Sequence, residues 1–341
     1  QHVKFLTITG RTSLQKPRLD KFYTKQAVVK ECLSLLNLKK YDMIIEPSSG
    51  GGAFLDHLSK DNTIGIDLEP DSKREDILKM DFFDCKPQIR DRCLVVGNPP
   101  FGKNSSLAVK FFNHAASFAQ TIAFVLPRTF RKVSIVNSLN KSFHLVKEIV
   151  LGKNSFFLPE EKNLDYDVPC IFQIWEKREE KRKTIEKKLE HPDFDFLIED
   201  KGYTVSSCKV THGENIVEIN KEDWKLYNKI RKKYPLLFPS EKFKKVEQNI
   251  SWDVEPDFAL RRCGGSAGQV FDNPKECSTP SHHFIKSNTD NVKEVFQELW
   301  ENKWCLKADP NKEGTKYDTA GNPSISKDDF IREYEKLKEK K

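Results

Sequence analysis

The sequence predicts an α/β fold in which a mostly parallel, doubly wound sheet is followed by a smaller α+β domain. Three observations predict this fold. Short apolar runs that can form buried strands alternate with helical patterns over the first half of the chain. A glycine-rich turn at 50–52 directly follows the first of these runs, as in sheets that bind nucleotides. From residue 178 the chain becomes densely charged, which is typical of a domain boundary.

Length and composition limit the class of protein. The chain has 341 residues, enough for two domains with cores of their own. It carries 58 basic and 51 acidic residues, and the net charge of +7 permits a polyanionic partner without requiring one. No run of about eighteen apolar residues occurs, so we expect no membrane-spanning segment. The eight cysteines form no Cys-x-x-Cys pair, and no signal-peptide pattern is present, so we expect reduced thiols and an intracellular protein.

The N-terminal segment contains a candidate cofactor contact. The apolar residues of segment 1–20 show no helical or strand periodicity, and we expect this segment to form an arm. Phe22, Tyr23 and Thr24 precede a helical pattern that runs to Leu36. Thr24 is a candidate N-cap, and the amides at a helix start attract carboxylates such as that of a methionine-derived cofactor. An ordinary cap packed beside two aromatic residues is the alternative.

The first strand of the predicted sheet, Met43–Ile45, ends in the turn Glu46-Pro47-Ser48-Ser49-Gly50-Gly51-Gly52, and a helix-like run over 53–58 follows. This arrangement brings backbone close to a bound nucleotide. The dinucleotide fingerprint needs another glycine where Leu55 stands, so a pyrophosphate cofactor is disfavoured. Glu46 at the strand tip suits a cation, and S-adenosylmethionine carries a sulfonium and an ammonium group. A turn that binds no ligand is the alternative.

The next two predicted strands also end in acidic residues. The strand 63–67 ends at Asp67, which can accept hydrogen bonds from both hydroxyls of a ribose. The strand from Ile77 leads to Asp81 and Phe82, which can accept from an adenine amino group and pack on its ring. Each acidic residue alone fits a strand-end cap. Three such strand ends in succession favour a nucleoside-containing ligand.

The fourth predicted strand, 94–96, ends in Asn98-Pro99-Pro100-Phe101. Two consecutive prolines cannot donate to a sheet ladder and impose an extended bend. The Asn98 side-chain oxygen and the Pro99 carbonyl can therefore accept both hydrogens of a planar amino group, while Phe101 stacks on the attached ring. An ordinary turn is the alternative, since Asn-Pro favours turn initiation.

Taken together, these motifs resemble class I S-adenosylmethionine-dependent methyltransferases that act on amino nitrogens, especially N6-adenine enzymes. Their order is similar to that of the gamma group of DNA adenine methyltransferases, and the resemblance covers roughly residues 18–177. It implies a Rossmann-like, seven-stranded methyltransferase sheet, S-adenosyl-L-methionine as cofactor and no metal. It implies catalytic roles for Asn98, Pro99, Pro100 and Phe101. It also implies cofactor contacts at twelve motif residues: Phe22, Tyr23, Thr24, Glu46, Pro47, Ser48, Gly50, Asp67, Leu68, Asp81, Phe82 and Asn98.

The rest of the sheet is predicted downstream. Ser105 or Ser106 is expected to cap a helix, and three apolar runs supply the last strands, at 121–126, 143–151 and 168–175. In the family that the chain resembles, an aromatic residue between the last two strands stacks on a flipped-out base. Phe156 or Phe157 is the candidate here, and simple core packing is the alternative.

The second half is harder to interpret. We expect a methyltransferase domain at 21–177, a charged linker helix at 178–192 and a C-terminal target-recognition domain at 193–341. Basic and aromatic residues are mixed at 231–245, a pattern compatible with nucleic-acid binding or with a solvated helix pair. The C-terminal segment from Ser326 is predicted to form a capped amphipathic helix.

A strand, a glycine-rich turn and a second strand are predicted over 258–271, and a third strand over 282–286. Arg261 and Arg262 at the turn are candidates for phosphate contacts, with a plain hairpin as the alternative. Cys263, Cys277, His282 and His283 invite a zinc interpretation. Their spacing fits no strong zinc template, so we expect no metal.

The sequence thus predicts transfer of methyl to the N6 amino group of adenine in nucleic acid, with DNA favoured and RNA the second candidate. No covalent enzyme intermediate is required, since proximity and orientation supply most of the catalysis. Two alternatives remain. A protein glutamine N5-methyltransferase would present the same planar NH2 group, and a catalytically inactive nucleic-acid-binding subunit would retain the fold.

Overall fold

The structure is a computed structural model that describes residues 23–340 except 72, 88–91, 153–154, 159–160, 167–168, 213–214, 224–225, 227–242 and 302–323. The chain divides into two compact units, residues 1–130 with 134–183 and residues 131–133 with 184–341. Within the described ranges, no helix is both long and apolar enough to cross a bilayer. Phe22 and most of the basic and aromatic segment 231–245 lie outside the described residues.

The described residues of the first unit form ten strands in chain order: β1 (Tyr23–Thr24), β2 (Met43–Glu46), β3 (Thr63–Asp67), β4 (Ile77–Lys79), β5 (Cys93–Gly97), β6 (Thr121–Pro127), β7 (Phe143–Val150), β8 (Phe156–Leu158), β9 (Glu161–Tyr166) and β10 (Cys170–Lys177). Seven of them form one sheet in the order β4-β3-β2-β5-β6-β10-β7. Strands β2 to β6 are parallel, and β10 is antiparallel to both of its neighbours. The predicted seven-stranded, doubly wound sheet is confirmed.

Both faces of this sheet are covered. The unit's helices are α1 (Gln26–Ser34), α2 (Ser106–Ala115) and α3 (Val133–Ser138). Neighbouring residues of a strand point to opposite faces. Accordingly, Val95 belongs to one apolar core, whereas Leu94 and Val96 belong to the other. A central strand that is buried on both faces must be apolar along its whole length, and β5 has this composition for that reason.

Two predicted helices do not form. Over 53–58 the chain makes only a 3₁₀ turn, Leu55–His57. The Leu55 N–H donates to the Glu46 carboxylate at 3.1 Å instead of continuing a helical ladder, and so short a segment is below the length of about twelve residues at which a helix is stable by itself. Over 178–192 the backbone is irregular. Its few apolar side chains stay exposed, so a helix there would gain no tertiary packing.

The second unit has α+β composition, as predicted. Its strands are β11 (Phe194–Leu197), β12 (Tyr203–His212), β13 (Asn215–Asn220), β14 (Phe243–Trp252), β15 (Phe258–Arg261), β16 (Val270–Phe271) and β17 (His282–Ser287), and its helices are α4 (Val292–Leu299) and α5 (Lys327–Lys338). They form a four-stranded sheet, β11-β17-β15-β16, and a three-stranded sheet, β13-β12-β14. The predicted hairpin and third strand are β15, β16 and β17. The capped C-terminal helix is α5, and Ser326 and Asp329 form its capping box.

Candidate active site

A cavity of about 280 Å³ opens at the carboxyl ends of the parallel strands. It lies where the strand order reverses between β2 and β5, the position at which open α/β sheets bind ligands. Every described residue predicted for cofactor binding or catalysis lines it: Tyr23, Thr24, Glu46, Pro47, Ser48, Gly50, Asp67, Leu68, Asp81, Phe82, Asn98, Pro99, Pro100 and Phe101. The structure therefore brings together residues from five separate segments of the chain.

Sequence reasoning missed part of the lining. Ser49, Ala53, Phe54, Phe83, Leu107 and Phe111 also face the cavity. Most of these are apolar and occupy positions that periodicity alone assigns to the core. Only their place beside the strand ends distinguishes them, and that place depends on the tertiary fold.

The glycine turn forms one wall. Gly50 and Gly52 have φ values of +51° and +80°, the left-handed region that favours glycine. The Tyr23 ring packs directly on the turn, since a Cβ at Gly51 would lie 2.8 Å from its Cε1 atom. The Gly50 N–H donates to Asp67 Oδ2 at 2.7 Å. The turn is thus fixed from both sides by residues that line the cavity.

Arg74 supports the turn from outside the cavity. Its Nη1 donates to the Gly51 carbonyl and to Asp56 Oδ1, both at 2.8 Å. Its Nε donates to Asp76 at 2.8 Å. A Cβ at Gly52 would lie only 2.1 Å from Arg74 Nη1. Sequence analysis gave Arg74 no role, because nothing in the local pattern reveals a contact with the turn.

Glu46 is an enclosed carboxyl group at the tip of β2. It is 2% exposed, and its Oε2 accepts a hydrogen bond from the Leu55 N–H. Burial raises the pKa of Glu46 well above the ordinary range of a carboxyl group. A cation bound beside it would favour the ionised form and lower that pKa again.

Asp81 and Phe82 also line the cavity. Asp81 Oδ1 accepts from the Phe83 N–H at 3.0 Å and so caps a short 3₁₀ turn. The Phe82 ring is buried and stacks on Phe111, with centroids 5.2 Å apart and an interplanar angle of 28°. Phe82 therefore both belongs to the core and contributes an aromatic edge to the cavity.

Two hydroxyl groups hold Asn98. Its Nδ2 donates to Thr24 Oγ1 at 3.2 Å, and its backbone carbonyl accepts from Ser48 Oγ at 3.0 Å. The predicted N-cap role of Thr24 is wrong. Lys25 occupies the N-cap of α1, which lacks a side-chain cap. Thr24 instead reaches Asn98 because β1 places it over the end of β5.

The segment after the tetrapeptide is tightly bent. Gly102, Asn104 and Ser105 all have φ between +52° and +66°. For residues other than glycine this conformation costs about 1–2 kcal/mol each. The Phe101 carbonyl accepts from the N–H groups of Leu107 and Ala108 at 3.1 and 3.2 Å. The start of α2 therefore fixes Phe101. Ser105 is the N-cap residue, but its hydroxyl bonds Thr129 rather than capping the helix.

The two alternative candidates for base stacking, Phe156 and Phe157, lie in different environments. Strand β8 pairs with β1, so that Thr24 lies opposite Phe156 and Tyr23 lies opposite Phe157. Phe156 is 1% exposed and packs in the core, which removes it as a stacking surface. The Phe157 ring lies 5.7 Å from that of Tyr23. In this structure β8 thus positions β1 against the cavity.

The charges of the lining select the kind of ligand. Glu46, Asp67 and Asp81 are acidic, and none of the described lining residues is lysine or arginine. Such a site favours a cation over a phosphate. Among the described residues, no group of three or more His, Cys, Asp or Glu side chains is arranged to hold a metal ion.

The two predicted phosphate-binding arginines belong to the second unit. Arg261 is the last residue of β15, and its Nε donates to the Cys263 carbonyl at 3.0 Å. Its Nη1 lies 3.5 Å from His282 Nε2. The Arg262 side chain is exposed. Arg261 and Arg262 are adjacent and of the same residue type, but they lie in different environments.

No protein-family model matches this chain, and no curated protein matches it in sequence. Among solved structures it is similar to a candidate RNA methyltransferase, PH1948, from Pyrococcus horikoshii, at 15% identity and a TM-score of 0.38 over 48% of this chain and 91% of that one. It is similar to the 23S rRNA methyltransferase ErmE at 16% identity and a TM-score of 0.36, over 47% and 71% of the two chains. It is also similar to a modification subunit of a candidate type I restriction enzyme from Vibrio vulnificus YJ016, at 14% identity and a TM-score of 0.36, over 75% and 60%.

Proposed function

We propose that the protein transfers a methyl group from S-adenosylmethionine to the N6 amino group of adenine in nucleic acid, with DNA as the first candidate and RNA as the second. One observation supports this proposal above all. The tetrapeptide Asn98–Phe101 and the three carboxylates of Glu46, Asp67 and Asp81 line a single cavity at the switch point of the sheet. The groups that would bind the amine and those that would bind the cation therefore line the same cavity.

The lining fits the cofactor in charge and in the distribution of its acceptors. Glu46 would face the cationic methionine portion, Asp67 the ribose hydroxyls and Asp81 the adenine amino group. The turn bends through positive φ at Gly50 and Gly52, so its backbone can approach a ligand closely. When bound, the cofactor supplies an electrophilic methyl group on its sulfonium.

The chain's own residues act on the target amine. The lone pair of an adenine amino group is delocalised into the ring, so the amine is a weak nucleophile. The Asn98 Oδ1 atom and the Pro99 carbonyl would accept hydrogen bonds from its two N–H groups. These bonds would localise the lone pair on the nitrogen. Because Asn98 Nδ2 donates to Thr24, its Oδ1 occupies the opposite position on the amide. Phe101, fixed by the start of α2, would stack on the extruded base.

Orientation is therefore the main catalytic contribution. The amine must be held in line with the methyl donor, and well-oriented reactants can account for about 7–11 kcal/mol of a barrier. The hydroxyl of Ser48 holds the Asn98 backbone, and the hydroxyl of Thr24 holds its side chain. The amine nitrogen would form its bond to the methyl carbon as the sulfur–methyl bond breaks, and the neutral thioether would leave. The extra proton on the nitrogen would pass to solvent, so neither a general acid nor a covalent enzyme intermediate is required.

The test is to incubate the purified protein with methyl-labelled S-adenosylmethionine and, separately, plasmid DNA, total RNA or a protein lysate. Nucleic acid is then digested to nucleosides and analysed by mass spectrometry. We expect label in N6-methyladenine or N6-methyladenosine. Label found only in the protein fraction would overturn the proposal in favour of glutamine methylation.

Two variants make this test specific. Asn98→Ala is expected to abolish transfer while leaving cofactor affinity within about twofold. Asn113→Ala is the matched control, because the Asn113 amide donates to the Ser138 carbonyl and does not line the cavity. Equal activity of the two variants, or no transfer by the wild type to any substrate, would contradict the proposal. The second result would favour an inactive binding subunit.

A further inference from the structure

One end of the four-stranded sheet in the second unit concentrates positive charge. The Arg262 N–H donates to the Ser281 carbonyl, and its own carbonyl accepts from the Ile325 N–H, both at 2.9 Å. Arg262 is thus held between the start of β17 and the segment that leads into α5. Lys327, the first residue of α5, follows Ile325 by two positions. The backbone alone therefore brings these two cations to the same end of the sheet.

Strand register assigns the basic side chains to two faces. Arg261 lies opposite His282, and Leu260 lies opposite His283. Arg262 directly follows β15, and continued alternation would place it on the face of Leu260 and His283. Its charge acts on His283 and also on Tyr203, which packs against Phe284. Arg262 and Lys327 both lower the pKa of His283, after burial, to about 3, whereas Arg261 acts on His282.

The Phe196 ring lies beside both Lys327 and His283. Lys327 Nζ lies 4.9 Å from the centroid of its ring. The His283 ring lies 5.3 Å from the same ring, in an edge arrangement. Lys327 is half-buried, and burial together with Arg262 lowers its pKa. The lysine is therefore partly removed from water and close to another positive charge.

The nearby acidic side chains are engaged elsewhere. Asp328 pairs with Arg332 at 3.0 Å, and Asp329 accepts the Ser326 N–H in the capping box. Among the described residues, neither Arg262 nor Lys327 forms an ion pair with a carboxylate. A half-buried lysine and an exposed arginine that both lack such a partner favour an external anion.

We propose that Arg262, Lys327 and His283 form a binding site for a backbone phosphate of the nucleic-acid substrate; this assignment of the ligand rests on the proposed function. A guanidinium group binds phosphate in a bidentate manner, and an ammonium group adds a point charge. A neutral imidazole contributes an N–H donor. Contacts of this kind fix orientation and carry no sequence information. We therefore expect the site to strengthen binding about equally for all sequences.

The experiment measures binding, so it does not depend on methyl transfer. Fluorescein-labelled single-stranded DNA, duplex DNA and RNA are titrated with the full-length protein at several salt concentrations, and anisotropy gives the dissociation constant. We expect Arg262→Ala and Lys327→Ala each to weaken binding at least fivefold at low salt. Each should also reduce the slope of log K against log salt by about 0.7–0.9, the value for one phosphate contact.

Three controls make the result interpretable. Lys286→Ala removes a cation that is already paired with Asp257 at 2.8 Å, and it should leave the slope unchanged. Arg262→Lys keeps the charge, loses the bidentate geometry and should give an intermediate affinity with an unchanged slope. Circular dichroism of each variant confirms folding.

Two outcomes would overturn the proposal. The first is an unchanged affinity and salt slope in both alanine variants. The second is a pair of alanine variants that bind inorganic phosphate more weakly than the wild type at constant ionic strength but bind oligonucleotides with unchanged affinity. The ligand of the site would then be a small phosphate. If the variants lose binding but no substrate is methylated, the proposed reaction fails and this site stands.

Discussion

Asn98 and Thr24 are joined by a hydrogen bond from Asn98 Nδ2 to Thr24 Oγ1, 3.2 Å long, between residues 74 positions apart in the chain. This contact links the end of the central strand β5 to the two-residue strand β1. Strand β1 is in turn held by β8, through the pairing of Thr24 with Phe156. The orientation of the Asn98 amide therefore depends on a small sheet outside the main one.

Removing the Thr24 hydroxyl should slow transfer without abolishing cofactor binding. Thr24→Val keeps the shape but removes the acceptor, so the Asn98 amide can rotate. A hydrogen bond of this kind contributes about 0.5–1.5 kcal/mol, so we expect kcat to fall about 2- to 13-fold. The measurement is steady-state kinetics with calorimetric affinity for S-adenosylmethionine. Thr24→Ser should retain most of the rate, and an equal loss in Val and Ser would argue against this role.

As pH rises, ionisation of Glu46 should lower the free energy of unfolding and increase the affinity for S-adenosylmethionine. Its pKa in the folded protein lies well above the ordinary value, so the unfolded chain releases the proton first as pH rises. Between the two pKa values, rising pH therefore lowers the free energy of unfolding. A cationic ligand favours the ionised form, so affinity for S-adenosylmethionine should increase over the same interval.

Glu46→Gln tests both effects. Glutamine keeps an acceptor for the Leu55 N–H but cannot ionise. Without ligand, the variant should be at least as stable as the wild type at pH 7–8, measured by urea unfolding. Its affinity for S-adenosylmethionine should be lower and independent of pH. A destabilised variant with unchanged affinity would mean that Glu46 serves only the fold.

Alanine substitutions at Phe156 and Phe157 should have different effects: the first mainly on stability, the second mainly on cofactor binding. Phe156 is almost fully buried, and removing a buried phenylalanine typically costs about 3–5 kcal/mol. Phe156→Ala should therefore unfold at much lower urea concentration. Phe157→Ala should cost less and should act through Tyr23, whose ring it contacts. We expect weaker cofactor binding in that variant. Similar unfolding midpoints for both variants would contradict this division.

Gly52 should tolerate no side chain. It has a φ of +80°, and an added Cβ would meet Arg74 Nη1 at 2.1 Å. Gly52→Ala should lose about 1–2 kcal/mol from the left-handed backbone alone, and more from displacement of Arg74. Gly152→Ala is the matched control, since an added Cβ there meets nothing within 4 Å. Equal urea midpoints for the two variants would show that the turn can adjust.

Sequence patterns predicted the sheet and most of the cavity for a simple physical reason. Residues at the carboxyl ends of parallel strands meet at one edge, so Glu46, Asp67 and Asn98 could be grouped without knowing any distance. The contact between Thr24 and Asn98 was not predictable, because it depends on β1 pairing with β8. Local pattern assigned Thr24 to a helix cap, which is wrong.

Other differences have the same origin. Over 178–192, charge density indicated a helix, but a helix without an apolar face gains no packing energy. Phe156 and Phe157 are adjacent and chemically identical, so only the strand register distinguishes the core residue from the partly exposed one. The grouping of Arg262 with Lys327 joins two distant parts of the chain, and the sequence supplies no signal for it.

The most direct test of the account compares wild type and Asn98→Ala in single-turnover reactions, with the affinity for S-adenosylmethionine measured on the same samples. We expect the wild type to form N6-methyladenine. We expect a rate at least 100-fold lower in Asn98→Ala with nearly the same cofactor affinity, since both acceptors of the amine hydrogens must act together. An Asn98→Ala protein that methylates adenine at the wild-type rate would contradict the proposed function.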